Sequence, residues 1–269
     1  MKLVVEGGED SGAELRWDLR LTRELVTEVF GASQWKKAHA SVRSVADRPG
    51  FCRYHYYQAS DMLDEYIAAN LEGTGLWAVF EDRDEFSYLM LRVRANVVAF
   101  VQSLHALADT CAHAIYYTLA LDSVSKPLKE QNITASEVLK RLKQQRDAGY
   151  LEFAEIHDLF RALVTEGDYS YLNALANTSK HRAIVRPELN EDATGTRKEK
   201  WILYLESFVY QGVAYKKVNV RDFMRAEYDR VQALTVHIGT TLNAVLRARL
   251  ALRAVAHMGG ADHPAAPDS

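Results

Sequence analysis

At 269 residues the chain has room for one large domain or two small ones, and 48% hydrophobic with 26% charged content is ordinary globular composition. A formal net charge of -3 excludes a global electrostatic pull toward nucleic acid or membrane, so polyanion binding requires a local basic patch. The two cysteines, Cys52 and Cys111, lie in apolar or aromatic surroundings and read as buried thiols of a cytoplasmic protein.

The first ten residues turn acidic without a long apolar core, which argues against a secretory signal. From Ala13 to Phe30, the residues Leu15, Leu19, Val26, Val29 and Phe30 predict an amphipathic helix ended by Gly31. A second helix is expected over Tyr54 to Leu71, stopped by Gly73 and Gly75. The third is the longest: Phe86, Leu89, Val93, Val97, Phe100, Leu104, Leu107, Cys111, Ile115 and Leu119 recur at steps of three and four. At 1.5 Å per residue such a helix spans on the order of 50 Å. Its most apolar part, 96–121, is broken by Gln102, His105, Asp109 and His113, which argues against a membrane span.

After Pro127, Thr134-Ala-Ser-Glu137 reads as a capping box opening a helix through Gln145, with Gly149 beyond its end. Another helix is expected over Tyr150 to Val164, closed by Gly167. Asp168 is the expected cap of the next, which runs to about Val185 and stops before Pro187. Glu188 to Lys200 is polar and reads as a solvated loop. Trp201 to Val209 and Val213 to Val220, separated by Gln211-Gly212, predict a β-hairpin. Asn219-Val-Arg-Asp222 then opens a last long helix to about Ala256, and the tail from Gly259 to Ser269 is expected to be disordered. The fold class is all-α, a helical bundle of long antiparallel helices with a small hairpin, about 201–220, inserted before the last helix. A single domain over 1–258 is expected, because no linker divides the chain.

The stretch Leu175-Ala-Asn-Thr-Ser-Lys-His-Arg182 draws attention. Asn173, Asn177 and His181 follow one another at steps of four, which stacks them on one helix face, with Lys180 and Arg182 alongside. Asparagine is a poor interior helix residue because its amide competes for backbone hydrogen bonds, so two of them in register with a histidine ask for a reason. Histidine can pass protons near neutral pH, lysine or arginine can hold a phosphate, and asparagine amides can orient a phosphate or ribose hydroxyl. The set suits acid–base cleavage of RNA through its 2′-hydroxyl, or binding of a nucleotide. The bland alternative is a polar face in water, with His181 favouring the negative end of the helix dipole.

His105, Asp109 and His113 also share one face, but about 12 Å of rise from first to last is too far for one metal ion to touch both ends. The preferred reading makes Asp109 a buried carboxylate needing a partner, which the Asn/Lys/His face of the later helix would supply. Lys140, Arg141, Lys143 and Arg146, with Lys126 and Lys129 upstream, could track a phosphate backbone or simply form a solvated face. Lys216, Lys217 and Arg221 sit beside the hairpin. Arg247, Arg249 and Arg253 suit the end of the last helix. Tyr56-Tyr57, Tyr116-Tyr117, Trp77 and Trp201 could stack bases, although such aromatics are usually core. Phosphate-binding loops, zinc cysteine pairs and nucleophile elbows are absent from the sequence.

A helical bundle with Asn-x-x-x-His near the end of a late helix resembles the HEPN superfamily of prokaryotic toxins and antiviral systems. Many members carry arginine, a polar residue, three variable positions and histidine. Ala176-Asn177-Thr178-Ser179-Lys180-His181 matches the polar residue and the histidine, with alanine in place of the arginine. The resemblance implies a metal-independent endoribonuclease without cofactor, whose composite site forms at a homodimer interface. His181 would be the acid or base, supported by Asn177 and Lys180, with Asp109 as polar partner. Asn173, Arg182, Lys140 and Arg141 are the candidate contacts to RNA or nucleotide. Two alternatives stand beside it: a non-catalytic module of the same fold binding nucleotide, RNA or a protein partner, and a helical metalloprotein using His105, Asp109 or His113.

Overall fold

The structure is a computed structural model that describes residues 16–124 and 126–259. The expected tail beyond Gly259 and the acidic first ten residues lie outside the described residues. The fold is a mostly helical bundle with a small antiparallel strand region before its final helix. Its α-helices are α1 (Leu19–Phe30), α2 (Ala32–Tyr66), α3 (Arg83–Thr118), α4 (Ala135–Asp147), α5 (Phe153–Thr165), α6 (Tyr169–His181) and α7 (Val220–Gly259). No helix among the described residues is long and apolar enough to cross a membrane.

Several boundaries follow their local chemistry. Asp18 caps α1 by accepting from Leu21 N at 3.0 Å, and Gly31 ends it at φ 92. Thr134 Oγ1 accepts from Glu137 N at 3.4 Å, one half of the expected capping box. Asn219 Oδ1 opens α7 by accepting from Arg221 N at 2.9 Å.

Other boundaries differ from expectation. The second helix begins at Ala32, not Tyr54, and carries Pro49 within it. Proline removes one backbone donor, but Val42, Val45, Ala46, Pro49 and Cys52 are all buried, and that buried face keeps the helix intact on both sides. It then continues as a wider π turn, Ile67–Leu71, and a 3-10 turn follows at Gly75–Phe80.

The expected loop 188–200 starts as a strand. β1 (Pro187–Glu191) pairs antiparallel with β2 (Trp201–Leu205), setting Leu189 opposite Leu203. Proline fits the first position of an edge strand, where no ladder donor is needed. The remaining loop is pinned by the buried Asp192 carboxylate, which accepts from Thr194 Oγ1 at 2.6 Å and from Arg197 N at 2.6 Å. Those bonds hold its pKa down at about 2.

The single expected hairpin is divided. β3 (Phe208–Tyr210) and β4 (Val213–Tyr215) pair with each other, while β5 (Val218–Asn219) joins β2 in a three-stranded sheet of order β1-β2-β5. The polar pairs Glu206-Ser207 and Lys216-Lys217 interrupt the two long runs. Gln211 at φ 50 and Gly212 at φ 80 supply the two left-handed residues that a tight hairpin turn requires.

The chain divides into two compact units. One takes the stretches up to Val45, Asp109–Ala162 and from Ala233 onward; the other takes Ala46–Ala108 and Leu163–Gln232. In the first, Leu25, Val26 and Val29 of α1 bury against Leu246 of α7. Arg249 lies 4.8 Å over the Phe153 ring and reaches Glu152, and Arg253 donates to the Val29 carbonyl. These two arginines therefore clamp neighbouring elements instead of acting only on the helix dipole. In the second unit, Arg48 donates to the Ser103 carbonyl and His55 Nδ1 meets Asn96 Oδ1 at 2.9 Å, joining α2 to α3. Cys52 and Cys111 are both buried, and burial pushes the Cys52 thiol up to about 12.

Candidate functional site

α6 enters through a turn with an unusual anchor. Asp168 takes the cap position, but its side chain makes no capping bond, contrary to expectation. Its N–H instead donates to Glu227 Oε1 of α7 at 3.0 Å. Glu227 is 2% exposed and receives Arg230 Nε at 2.9 Å and Nη2 at 2.8 Å. Arg230 also donates to the Leu163 carbonyl at 3.3 Å, so one bidentate pair holds both sides of the α5–α6 turn.

From there α6 buries Tyr171, Leu172, Ala174, Leu175, Ala176 and Thr178. Tyr171 packs edge-on to Phe208 at 5.4 Å and Tyr215 at 5.7 Å, and against Phe223 at 5.0 Å, which seats the β3–β4 hairpin on the helix. Burial pushes the Tyr171 phenol pKa well above its usual value.

The expected stack of Asn173, Asn177 and His181 separates into two parts. Asn177 Nδ2 donates to the Asn173 carbonyl and to Asn173 Oδ1, both at 2.9 Å. His105 Nε2 of α3 lies 2.9 Å from the same Oδ1. An amide oxygen only accepts, so His105 donates through Nε2. Its ring is parallel to that of Tyr169 within 9° at 6.4 Å. One turn away, Gln102 donates to the Ala176 carbonyl at 3.1 Å. Asn173 and Asn177 are thereby consumed in a polar seam between α3 and α6. Asn173→Ala is expected to lower unfolding free energy by about 1–3 kcal/mol in urea titration, because His105 loses its acceptor and Asn177 one of its two. A variant as stable as the parent would contradict that role.

The other part faces outward. α6 ends at His181, four residues before the expected Val185, and the Thr178 carbonyl receives Arg182 N at 2.9 Å and Ala183 N at 3.1 Å. Lys180, His181, Arg182, Ala183 and Ile184 are all exposed, so the residues just past the helix end have no core to pack against. Among the described residues, Lys180 and His181 form no ion pair or side-chain hydrogen bond. Arg182 places its guanidinium 5.4 Å over the Tyr210 ring of the hairpin.

Asp109 is exposed, which corrects the expectation of a buried carboxylate in need of a partner. The acceptor set of the motif helix is taken up by His105 instead. On α4, Lys140 lies 3.8 Å from Glu137, and Arg141 donates to the Lys126 carbonyl at 2.7 Å. Arg141 thus ties down the segment before α4, where Lys126 adopts φ 59. Arg221 pairs with Asp64, and Lys217 sits 4.3 Å over the Tyr204 ring. His113 is half-buried against Tyr117, and among the described residues no three metal-ligating side chains converge.

Sequence reasoning passed over one cluster. Arg94 sits beside the apolar stripe of α3 between Val93 and Val97, Glu188 lies in β1, and Arg186 and Glu206 adjoin the ends of β1 and β2. An arginine next to the apolar stripe was the available signal, one that Arg92 shares. Glu188 was hidden because 188–200 read as solvated loop, and Arg186 and Glu206 because nothing local marks the residue just outside a strand. Comparison with protein-family models, curated proteins and solved structures finds no match for the chain.

Proposed function

We propose that the chain is a HEPN-like protein that acts on RNA, and that its contact surface is the end of α6. The observation that carries this reading is the exposed run Lys180-His181-Arg182, two cations and one proton-passing group on consecutive residues. Lysine and arginine attract phosphate, and the Arg182–Tyr210 pair offers a flat cationic surface for an unpaired base.

Binding without cleavage is favoured by Ala176. It is fully buried, and it stands where the family's arginine would be, so no guanidinium reaches the surface from that position. Cleavage is the second reading. There, His181 would take the proton of a 2′-hydroxyl as that oxygen attacks the adjacent phosphorus. The products are a 2′,3′-cyclic phosphate and a 5′-hydroxyl, with the leaving oxygen protonated by the imidazole of a second copy. This form requires a homodimer. The family resemblance extends the proposal to a cytoplasmic toxin or antiviral system of a prokaryote.

A labelled single-stranded RNA incubated with the protein in chelator separates the readings. The expected result is bound, intact RNA, with Lys180→Ala/Arg182→Ala weakening binding about tenfold. Metal-independent cleavage that His181→Ala abolishes would transfer the conclusion to the second reading. No measurable binding would overturn both.

A further inference from the structure

A cleft of about 980 Å³ lies in the second compact unit, between β1 on one side and the Gly75–Phe80 turn with the start of α3 on the other. Its volume is in the range of sites that enclose small organic ligands. One wall is largely apolar, with Phe80 of the turn and Phe86, Met90 and Leu91 of α3. Phe80 is 76% exposed and Leu91 56%, large apolar surface left open to solvent at the rim.

The charged groups of the cleft are unevenly satisfied. Glu191 is fully engaged, accepting from Leu76 N at 2.9 Å and pairing with Lys200 at 3.3 Å. Arg94 and Arg186 also line the cleft, and among the described residues neither forms an ion pair. The Arg94 Nε is buried and lacks a hydrogen-bond partner. A guanidinium nitrogen withdrawn from water without an acceptor is costly unless something supplies one.

The two remaining acids do not supply it. Glu206 lies beside Glu188, and that neighbour, then burial, raises its pKa against the opposing pull of Arg186 and Arg94. The buried Arg94 Nε is left without an acceptor, next to an apolar wall.

We propose that this cleft binds an amphiphilic carboxylate, its apolar body against Phe80, Phe86, Met90 and Leu91 and its head group on Arg94, with Arg186 as second cation. A carboxylate matches the planar guanidinium fork, and an apolar chain covers the exposed rim. This site is separate from the RNA-contact surface proposed at the end of α6 and does not depend on it.

Calorimetric titration with decanoate, decylammonium and 1-decanol tests the proposal. Decanoate is expected to bind at one per chain, and the cation and the alcohol at least about tenfold more weakly. Arg94→Gln should weaken decanoate by a similar factor. Should that variant fold poorly, Phe80→Ala removes only an exposed side chain and should weaken decanoate several-fold. Equal affinity for decylammonium or decanol, or decanoate binding unchanged in the variants, would overturn the proposal.

Discussion

Gly239→Ala is expected to lower the unfolding free energy by about 3–5 kcal/mol, the range for losing a packed tryptophan. A Cβ added at Gly239 would lie 2.0 Å from Trp17 Cδ2 and 2.1 Å from Cγ. Those are ring atoms, not the end of a flexible chain, so the whole indole must leave. Trp17 is 5% exposed, and its Nε1 donates to Thr22 Oγ1 at 2.8 Å. Thr22 meets Asn243 Oδ1 at 2.7 Å, and Asn243 Nδ2 returns to the Asp18 carbonyl at 3.1 Å. Displacing the ring therefore opens a cavity and breaks the first link of a polar chain joining α1 to α7. The helix has little freedom to retreat, because Ile238 and Leu242 beside the glycine are buried. In a Trp17→Ala background the clash disappears, and alanine is the better helix former by about 1 kcal/mol. The same substitution then becomes neutral or stabilising, so a double-mutant cycle in urea should give strong coupling. A Gly239→Ala protein as stable as the parent would refute the close approach.

Glu227→Ala is the second large effect, with an expected loss of about 3–5 kcal/mol, typical of breaking one partner from a buried ion pair. The carboxylate satisfies three donors, two from Arg230 and one from Asp168 N. Its removal takes the carboxylate from a guanidinium whose side chain is 18% exposed, leaving neutral acceptors such as the Leu163 carbonyl. The space beside it is already filled, since a Cβ at Gly167, itself at φ +60, would lie 2.6 Å from Arg230 Cδ. Glu227→Gln should lose less, because one carbonyl oxygen remains to accept. Replacing both partners with leucine should be milder than Glu227→Ala, because no buried charge is then left alone. Amide exchange at 163–168 should accelerate in Glu227→Ala, and unchanged exchange there would contradict the anchoring role.

Much of the helical plan was legible because a buried stripe imposes a 3.6-residue period, and α3 keeps it from Leu89 to Ile115. Caps and turns with a local cause were equally legible, as at Gly31, Thr134 and Gln211-Gly212. Features decided by long-range partners were not. Nothing local distinguishes Pro49 as a residue held inside a continuous helix. β1 depends on β2 for its pairing and looks like loop by composition. Asp168 seemed a cap, but a glutamate 59 residues away claims its backbone instead.

The candidate site was legible in the same uneven way. The spacing of Asn173, Asn177 and His181 identified a common helix face but not what would meet it. His105 turns the first two into a structural seam, while early termination of α6 leaves His181 in solvent beside Lys180 and Arg182. Arg141 shows the reverse error, since a residue that looked like phosphate-tracking charge closes a neighbouring loop.

The most direct measurement is the salt dependence of affinity for a single-stranded RNA, in the parent and in Lys180→Ala/Arg182→Ala. Each phosphate contact on a single strand contributes about 0.7 to the slope of log affinity against log salt, so losing two should flatten the slope by about 1.4. RNA bound at the end of α6 predicts that flattening together with weaker binding. Identical slopes and affinities in the two proteins would place any RNA contact elsewhere and contradict the assignment.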